Sequence, residues 1–330
     1  MNQQTVREYL GYRKLSTLLL RSLPYGLRPR PKVRITRDLA PESPLISVII
    51  PTFNRSNVLR LAIHSVLWQT EENFELLVMG DGCTDDSESV VHSFGDARIR
   101  WHNLAVNSGH QSTPVNAGVA LSRGRYITFL GHDDIWHPEH LRSMLSKIVS
   151  TGADLVSSLT EMIGPKETNF RLVRGNYPAG GFRAGYCLAC SGLMYRREVH
   201  ERVGGWRDYR TVWRNPDCEF QHQALLQGFR FVSTRELTVY KFNSTLRKNC
   251  YVDKPCDDQA EYVARIESER WFLLREMLRI ARVHLLRLPM VRTAIPAPPS
   301  PETPGWNVTQ YRKLRGLESQ DFDQKVEDQI

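Results

Sequence analysis

From Leu45 onward the chain alternates between short apolar runs and amphipathic stretches, and this alternation constrains the fold more than any other feature. The runs LISVII (45–50), FELLVM (74–79) and YITFL (126–130) are typical of strands buried on both faces. Residues 56–69 place apolar side chains at helical spacing. Repeated strand–helix units predict right-handed βαβ crossovers and a mostly parallel sheet with helices on both faces. We therefore expect an α/β protein.

Further elements continue this pattern along the chain. Ser56 is a candidate N-cap of the first helix, and Thr113 is a candidate N-cap with Pro114 at the first helical position. Residues 289–304 hold six prolines and are predicted to be neither helix nor central strand. The remaining predicted helices cover 85–94, 113–121, 138–150, 196–205, 215–227 and 259–288, and the remaining predicted strands cover 98–103, 154–158 and the residues after Gly228.

Composition and cysteine usage narrow the class of protein. A hydrophobic content of 41% is enough for a sizeable core, and no uncharged apolar run of 18 residues is available to span a bilayer. The N-terminus lacks the pattern of a signal peptide, so we expect a cytoplasmic protein with reduced thiols. Cys187 and Cys190 could form a zinc site with Cys250 and Cys256, but small buried residues are the favoured interpretation because the second pair has poor spacing.

Positive charge is concentrated in the first forty residues. Against Glu8 and Asp38, nine basic residues give this segment a net charge of +7 out of +8 for the whole chain. A protein that grips nucleic acid along its length would spread this charge, so nucleic acid is not an expected partner. The basic residues are Arg7, Arg13, Lys14, Arg21, Arg28, Arg30, Lys32, Arg34 and Arg37.

Polar, turn-rich segments follow three of the predicted strands. They are PTFNR (51–55), GDGCTDD (80–86) and GHDD (131–134). Ligands of such sheets lie beyond the carboxyl ends of the strands, where these segments meet. The adjacent carboxylates of Asp133 and Asp134 suit a hard divalent cation, Mg²⁺ or Mn²⁺, that substrate phosphates complete. The alternative is a surface turn with solvated carboxylates beside a helix N-terminus.

The three segments together with NSGHQSTPVNAGVALSRGRYITFLGHDDIW resemble the family 2 inverting glycosyltransferases of the GT-A fold, over about residues 45–232. The resemblance implies a three-layer αβα sandwich and a nucleotide-diphospho-sugar donor, with Mn²⁺ or Mg²⁺ as cofactor. It implies that the diphosphate meets the metal at Asp133 and Asp134, and that Asp217 is the base that activates the acceptor hydroxyl. The donor-binding residues that it implies are Pro51, Thr52, Asn54, Arg55, Asp81, Asn107, Gly109, Asn116 and Asp133.

The chemistry agrees with this assignment. Inverting transfer is one displacement at the anomeric carbon, which needs a carboxylate near the acceptor hydroxyl and a cation at the leaving diphosphate. Local grounds favour a helix N-cap or a first-turn acid for Asp217, and the resemblance of position favours the base. The chain departs from the family pattern in having Gly80 and Gly131 at positions usually occupied by Asp. It also has Val115 where Arg is common and Pro216 where Glu is common.

Rival functions differ in their loops. A dinucleotide-binding oxidoreductase would show G-x-G-x-x-G after the first strand, and this chain shows Pro and Asn there. A nucleotidyltransferase would show a basic, glycine-rich loop, and a nucleotide-sugar binding module without turnover would fit the missing acids at Gly80 and Gly131. We expect the enzyme, with a saccharide or lipid-linked acceptor and a role in cell-surface polysaccharide or glycoconjugate synthesis.

We divide the chain into a basic arm (1–43), a GT-A glycosyltransferase domain (44–245) and a C-terminal helix with a proline-rich tail (246–330). Basic amphipathic stretches at 3–23 and 270–292 are typical of helices that lie on anionic membranes. For the second stretch we favour packing of its apolar stripe on the catalytic domain. The first stretch leaves open a peripheral contact with the inner face of the membrane.

Overall fold

The computed structural model of the chain describes residues 43–177, 181–285 and 303–317, with side chains as far as 283 in the second range. The strands are β1 (Ile46–Thr52), β2 (Phe74–Gly80), β3 (Ile99–Asn103), β4 (Tyr126–Phe129), β5 (Asp134–Trp136), β6 (Leu155–Ile163), β7 (Arg171–Arg174), β8 (Leu193–Arg196) and β9 (Phe231–Phe242). The helices are α1 (Ser56–Leu67), α2 (Ser87–His92), α3 (Ser112–Leu121), α4 (His140–Thr151), α5 (Arg197–Val203), α6 (Pro216–Leu226), α7 (Asp257–Ser268), α8 (Phe272–Leu285) and α9 (Trp306–Arg315).

All nine of these strands form one sheet, in the order β3-β2-β1-β4-β8-β6-β9-β5 with β7 paired to β6. The predicted parallel pairing is found among β1 to β4 and between β6 and β9. Strand β8 lies between β4 and β6 and is antiparallel to both. Strand β5 pairs antiparallel with β9, and β7 pairs antiparallel with β6. The sheet is therefore parallel among β1 to β4, three of which are followed by the predicted polar segments, and mixed in its remaining part.

Apolar side chains of the central strands alternate between two buried clusters. On β1, Val48 and Ile50 belong to the cluster that also contains apolar residues of α1 and α4, and Ile49 belongs to the cluster with residues of α3, α5 and α6. Successive side chains of a strand point to opposite faces of a sheet, so the clusters lie on its two faces. The uninterrupted apolar run of β1 exists because both faces are covered by helices.

Helix starts differ from the capping that the sequence predicts. The α1 backbone N–H of Ser56 is capped by the Oδ2 atom of Asp85, 3.2 Å away, and Ser56 is itself the first helical residue. The α3 helix begins at Ser112, which places Thr113 and Pro114 inside its first turn. The two predicted N-caps are therefore wrong, in the first case because an acid from the next loop takes the capping role.

The predicted helical stretch over 259–288 is broken into α7 and α8 at residues 269–271. Helix α8 buries Phe272, Met277 and Ile280, whereas the side chains of Arg275 and Arg279 are 64% and 42% exposed. This arrangement agrees with the favoured interpretation that α8 packs its apolar stripe on the catalytic domain. Within the described part of the chain, no helix has the length and apolarity that crossing a membrane requires.

Buried charges tie α8 to the sheet. The Glu276 carboxylate is fully buried and lies 2.9 Å from both the Nη1 atom of Arg171 on β7 and the Nη2 atom of Arg265 on α7. A buried ion pair needs such multiple partners to offset the loss of hydration. The predicted domain boundary at residue 245 stays a prediction, but the described residues beyond it pack against the same sheet.

Helix α9 is not anticipated by the sequence analysis. It is flanked by Gly305 and Gly316, which have φ values of 74° and 83°. A glycine in this left-handed conformation directly after a basic last turn is a common helix C-terminal signal. That signal in KLRG (313–316) could have located the end of the helix.

Candidate active site

A cleft of about 350 Å³ opens at the carboxyl ends of β1, β2 and β4. This is the sheet edge where the sequence predicts a ligand. Seven of the predicted site residues line the cleft: Pro51, Thr52, Asp81, Asn107, Gly109, Asp133 and Asp217.

Asp81 and the loop before α3 form one wall of the cleft. Asp81 is 5% exposed and its Oδ1 atom accepts a hydrogen bond of 3.0 Å from the backbone N–H of Ser108. Burial raises the pKa of Asp81, although this hydrogen bond acts in the opposite direction. Asn107 accepts a 2.6 Å bond from the N–H of Gly109, whose φ of 85° favours glycine. The wall therefore offers a carboxylate and a fixed turn to a ligand.

Three predicted donor-binding residues do not line the cleft and brace its walls instead. Asn54 accepts a 2.8 Å bond from the backbone N–H of Thr84, which joins the first polar loop to the second. Arg55 is 2% exposed and donates to the carbonyl of Pro255. Asn116 donates to the Trp206 carbonyl at 2.8 Å and accepts from the Trp206 N–H at 2.9 Å. The cleft depends on them for its shape, and their donor contacts remain predictions.

Asp133 and Asp134 are adjacent but have different environments. Asp134 is fully buried, and its carboxylate accepts bonds from the Lys241 ammonium at 2.8 Å, from the backbone N–H of Phe242 at 3.2 Å and from the Ser191 hydroxyl. Burial raises the pKa of Asp134 to about 6, against the opposing effect of Lys241. Asp133 lines the cleft. Lys241 thus offsets the repulsion between the two carboxylates, because its ammonium pairs with Asp134.

Several charges meet at Asp133. Burial acts to raise its pKa, but His132 and the cationic side chains of Lys241, Arg55 and Arg315 bring that pKa below its ordinary value. Asp133 is therefore ionised at neutral pH and faces a ligand as an anion.

At the two glycines that stand where Asp is usual in the family, a side chain would press against neighbouring side chains. A Cβ atom on Gly131 would lie 2.8 Å from the Oδ2 atom of Asp134, and one on Gly80 would lie 2.4 Å from the Oδ1 atom of Asn103. Asn103 uses this amide to hold the N–H and the carbonyl of Cys83. His132 is buried, with its Nδ1 atom 3.1 Å from the Thr52 hydroxyl oxygen, and burial lowers its pKa to about 4. It is neutral there, so it does not supply the negative charge of a carboxylate.

Asp217 lies in the first turn of α6 and reaches the cleft. Its Oδ1 atom accepts a 2.9 Å bond from the backbone N–H of Cys218. Burial raises the pKa of Asp217, whereas that bond and the charges of Lys241 and Arg174 act to lower it. Glu219, two residues on, is held by Arg214 at 3.3 Å and by Gln223 at 2.7 Å and does not line the cleft.

The expectation of six reduced thiols is wrong in the structure. Cys187 and Cys218 form a disulfide with their Cα atoms 5.1 Å apart, although 31 positions separate them in sequence. Sequence spacing gave no sign of this pair because the fold alone brings the two segments together. Cys190, Cys250 and Cys256 are free, so the alternative four-thiolate zinc site is wrong as well. The disulfide joins the loop before β8 to the helical turn that carries Asp217.

Basic residues that the sequence analysis did not single out surround the acids. Lys241 comes from β9 and Arg174 from β7, and both line the cleft. Arg312 and Arg315 reach it from α9. Strand positions of this kind carry no local signal, whereas the two arginines that precede Gly316 could have been read as a basic helix end.

Comparison with known proteins finds similarity to glycosyltransferases. The sequence profile described as "Glycosyl transferase family 2" matches residues 47–204. An uncharacterized glycosyltransferase of Rickettsia prowazekii is 38% identical over 109 residues, which are 32% of this chain and 33% of that protein. Protein CgeD of Bacillus subtilis is 27% identical over 64% of this chain and 53% of its own length. The chain thus spans only about a third to a half of these two relatives.

Solved structures support the same fold. S. aureus TarS 1–349 in complex with UDP-GlcNAc has a TM-score of 0.53 at 18% identity, over 72% of both chains. The TarS structure covering a longer chain has a TM-score of 0.50 at 18% identity, over 72% of this chain and 43% of TarS. Identities this low speak for the fold alone. The chain is thus similar to glycosyl transferase family 2 over residues 47–204, and its fold is an α/β fold of the GT-A type.

Proposed function

We propose that the chain transfers a sugar from a nucleotide-diphosphate donor to an acceptor hydroxyl, with inversion at the anomeric carbon. The observation that carries the proposal is that Asp81, Asp133 and Asp217, from three separate parts of the chain, line one cleft. Donor binding needs the first two, and the reaction needs a carboxylate on the side of the acceptor. The TarS complex with UDP-GlcNAc makes UDP-sugars the first donors to test.

Asp217 is the base in this proposal. Its carboxylate takes the proton of the acceptor hydroxyl while the hydroxyl oxygen attacks the anomeric carbon and the bond to the nucleoside diphosphate breaks. Burial raises the pKa of Asp217, which makes its carboxylate a stronger proton acceptor than an exposed aspartate. The hydrogen bond from the Cys218 N–H and the neighbouring disulfide fix the start of α6, so the carboxylate keeps its place in the cleft.

A divalent cation fits the cleft at one carboxylate and not at two. Asp133 is ionised and faces the cleft, whereas the oxygens of Asp134 are already used by Lys241, Ser191 and a backbone N–H. Mg²⁺ is commonly held by one or two carboxylates together with substrate phosphates. We therefore assign Mn²⁺ or Mg²⁺ to Asp133 alone, with Asp134 as the anchor of the turn. When bound, the cation would neutralise charge on the leaving diphosphate.

The test is a turnover assay with a panel of UDP-, GDP- and TDP-sugars, with Mn²⁺, Mg²⁺ or EDTA. Hydrolysis or transfer would be followed by release of the nucleoside diphosphate, and the anomeric configuration of the product by NMR. We expect a product of inverted configuration from one donor class. A donor that binds tightly and never turns over would identify the non-catalytic binding module, and a retained configuration would refute the single displacement.

Location and partners stay proposals. The basic arm falls outside the described residues, and we propose that it contacts anionic membrane from the cytoplasmic side. Sedimentation of the full chain with anionic vesicles, falling as salt rises, tests this contact. Disulfides are rare in a reducing cytoplasm, so the redox state of the Cys187–Cys218 pair also bears on the proposed location. A thiol count in denaturant without reductant, compared with the count after reduction, shows whether the two cysteines of that pair are oxidised in the protein as isolated.

A further inference from the structure

Helix α9 presents one face to the cleft although it comes from the far end of the described chain. Val308, Tyr311, Arg312 and Arg315 all line the cleft. Their spacing of three, four and seven residues places them on one side of a helix. Lys313 is exposed on another side of the same helix. The face toward the cleft is therefore apolar at its start and cationic at its end.

Hydrogen bonds hold α9 in this position at both ends. At its start, the backbone N–H of Gly305 donates to the Val212 carbonyl at 3.1 Å. At its end, the carbonyls of Leu314 and Arg315 accept bonds of 2.8 and 3.1 Å from residues 249 and 251. The Arg312 guanidinium also donates to the carbonyl of Gly109, on the opposite wall. The helix therefore covers the cleft as a docked element.

Arg315 brings a positive charge to the cleft, and no carboxylate of the described residues pairs with it. Within the described ranges Arg315 makes no ion pair, and its buried Nε atom has no hydrogen-bond partner. It nevertheless lies close enough to Asp133 and His132 to act on their pKa values, beside the larger effect of burial. An orphaned guanidinium N–H that is buried beside a ligand cleft is costly until an acceptor arrives.

A second guanidinium is buried behind the same spot. Arg55 is 2% exposed, its Nε and Nη1 atoms have no hydrogen-bond partner, and its Cζ atom lies 5.1 Å from the ring centroid of Tyr251, which lines the cleft. Both guanidinium groups act to lower the pKa of Asp133, and each has a buried N–H group without a hydrogen-bond partner. An anion bound in the cleft, such as a diphosphate, would supply acceptors for these N–H groups.

We propose that α9 closes the donor site and that Arg315 is a binding residue for the donor's diphosphate, sharing with the cation the neutralisation of the leaving group. This inference rests on the proposed function. A planar guanidinium is suited to a diphosphate because its N–H groups match the spacing of phosphate oxygens. Gly131 has no carboxylate and the buried Asp134 is already paired, so in this proposal Asp133 alone holds a single cation. Arg315 adds a second positive charge at the diphosphate.

Calorimetric binding of UDP, uridine and inorganic pyrophosphate to the full chain tests the proposal. Arg315→Gln should weaken UDP and pyrophosphate about tenfold to hundredfold and leave uridine unchanged, because a charge-assisted hydrogen bond is lost. Lys313→Gln is the matched control, since it removes the same charge from an exposed position of the same helix. Arg315→Lys keeps the charge without the planar fork and should fall between the two.

The remaining outcomes separate the two proposals. If Arg315→Gln and Lys313→Gln bind UDP with equal affinity, or if Arg315→Gln binds more tightly because α9 blocks the cleft, the role of Arg315 is overturned and the proposed function stands. If the parent chain binds neither pyrophosphate nor any of UDP, GDP, ADP and TDP, both proposals fail. In EDTA the parent chain should keep measurable UDP affinity that Arg315→Gln loses, and equal loss in both would assign the diphosphate to the cation alone.

Discussion

The two walls of the cleft are built by different means. The near wall, made of residues 51–53, 81 and 107–114, comes from loops that follow successive parallel strands. The far wall, made of residues 174, 187–190, 215–217 and 308–317, comes from segments that are distant in sequence. The near wall needs only the sheet, whereas the far wall also needs the disulfide and the docking of α9. Ligand recognition on one side thus follows from topology, and on the other from long-range contacts.

Asp217→Asn, a change in the far wall, should have the largest effect on activity. The amide keeps the shape of the side chain and removes the proton acceptor, so the turnover number should fall about 10² to 10⁴-fold while donor affinity is retained. The matched control is Glu219→Gln on the same helix, whose carboxylate is held by Arg214 and Gln223 outside the cleft. A dead Glu219→Gln variant beside an active Asp217→Asn variant would move the base by two positions.

Lys241→Met should lower the unfolding free energy, because Lys241 pairs with Asp134 at the bottom of the cleft between the two walls. It leaves the fully buried Asp134 without its cation, and breaking a buried pair from one side typically costs about 3–5 kcal/mol of unfolding free energy. Urea titration measures this loss. The double variant Lys241→Met with Asp134→Asn should recover part of it, because no unpaired charge then remains. A single variant as stable as the parent would contradict the anchoring role of the pair.

Asp133→Asn tests the cleft residue to which the metal ion is assigned. It should weaken UDP binding in Mn²⁺ by at least about tenfold, since the assigned metal carboxylate is lost, and change UDP binding in EDTA much less. The unfolding free energy should stay close to that of the parent, because Asp133 lines the cleft and Asp134 holds the turn. Equal loss of affinity with and without Mn²⁺ would show that Asp133 does not act through a cation.

The pH dependence of turnover gives the smallest expected effect. Burial raises the pKa of Asp217, with Lys241 and Arg174 opposing it, so the acid limb of kcat/KM should lie above the ordinary aspartate value of about 3.9. Activity is lost as the pH falls through this raised pKa, because a protonated carboxyl cannot accept the acceptor's proton. The limb should disappear from the residual rate of Asp217→Asn, and its persistence there would assign it to another group.

The predictable part of the molecule is the part with local signals. Strands β1, β2 and β4 are correctly located because both of their faces are buried, so their sequences are uninterrupted apolar runs. The seven predicted residues that line the cleft end a strand, follow a strand or begin a helix. Lys241 sits inside a strand, and the Cys187–Cys218 bond spans 31 positions. Neither has a local pattern, since each is defined by a partner that only the fold supplies.

The position of α9 has a consequence for how the protein is made. The sheet and the near wall are complete once residues up to Phe242 have left the ribosome, whereas the cover of the cleft is not synthesised until residues 303–317. Because domains generally begin folding during synthesis from the N-terminal side, the nascent chain passes through a stage with an open cleft. A product cut short before residue 303 would keep Asp81, Asp133 and Asp217 and still lack the cover.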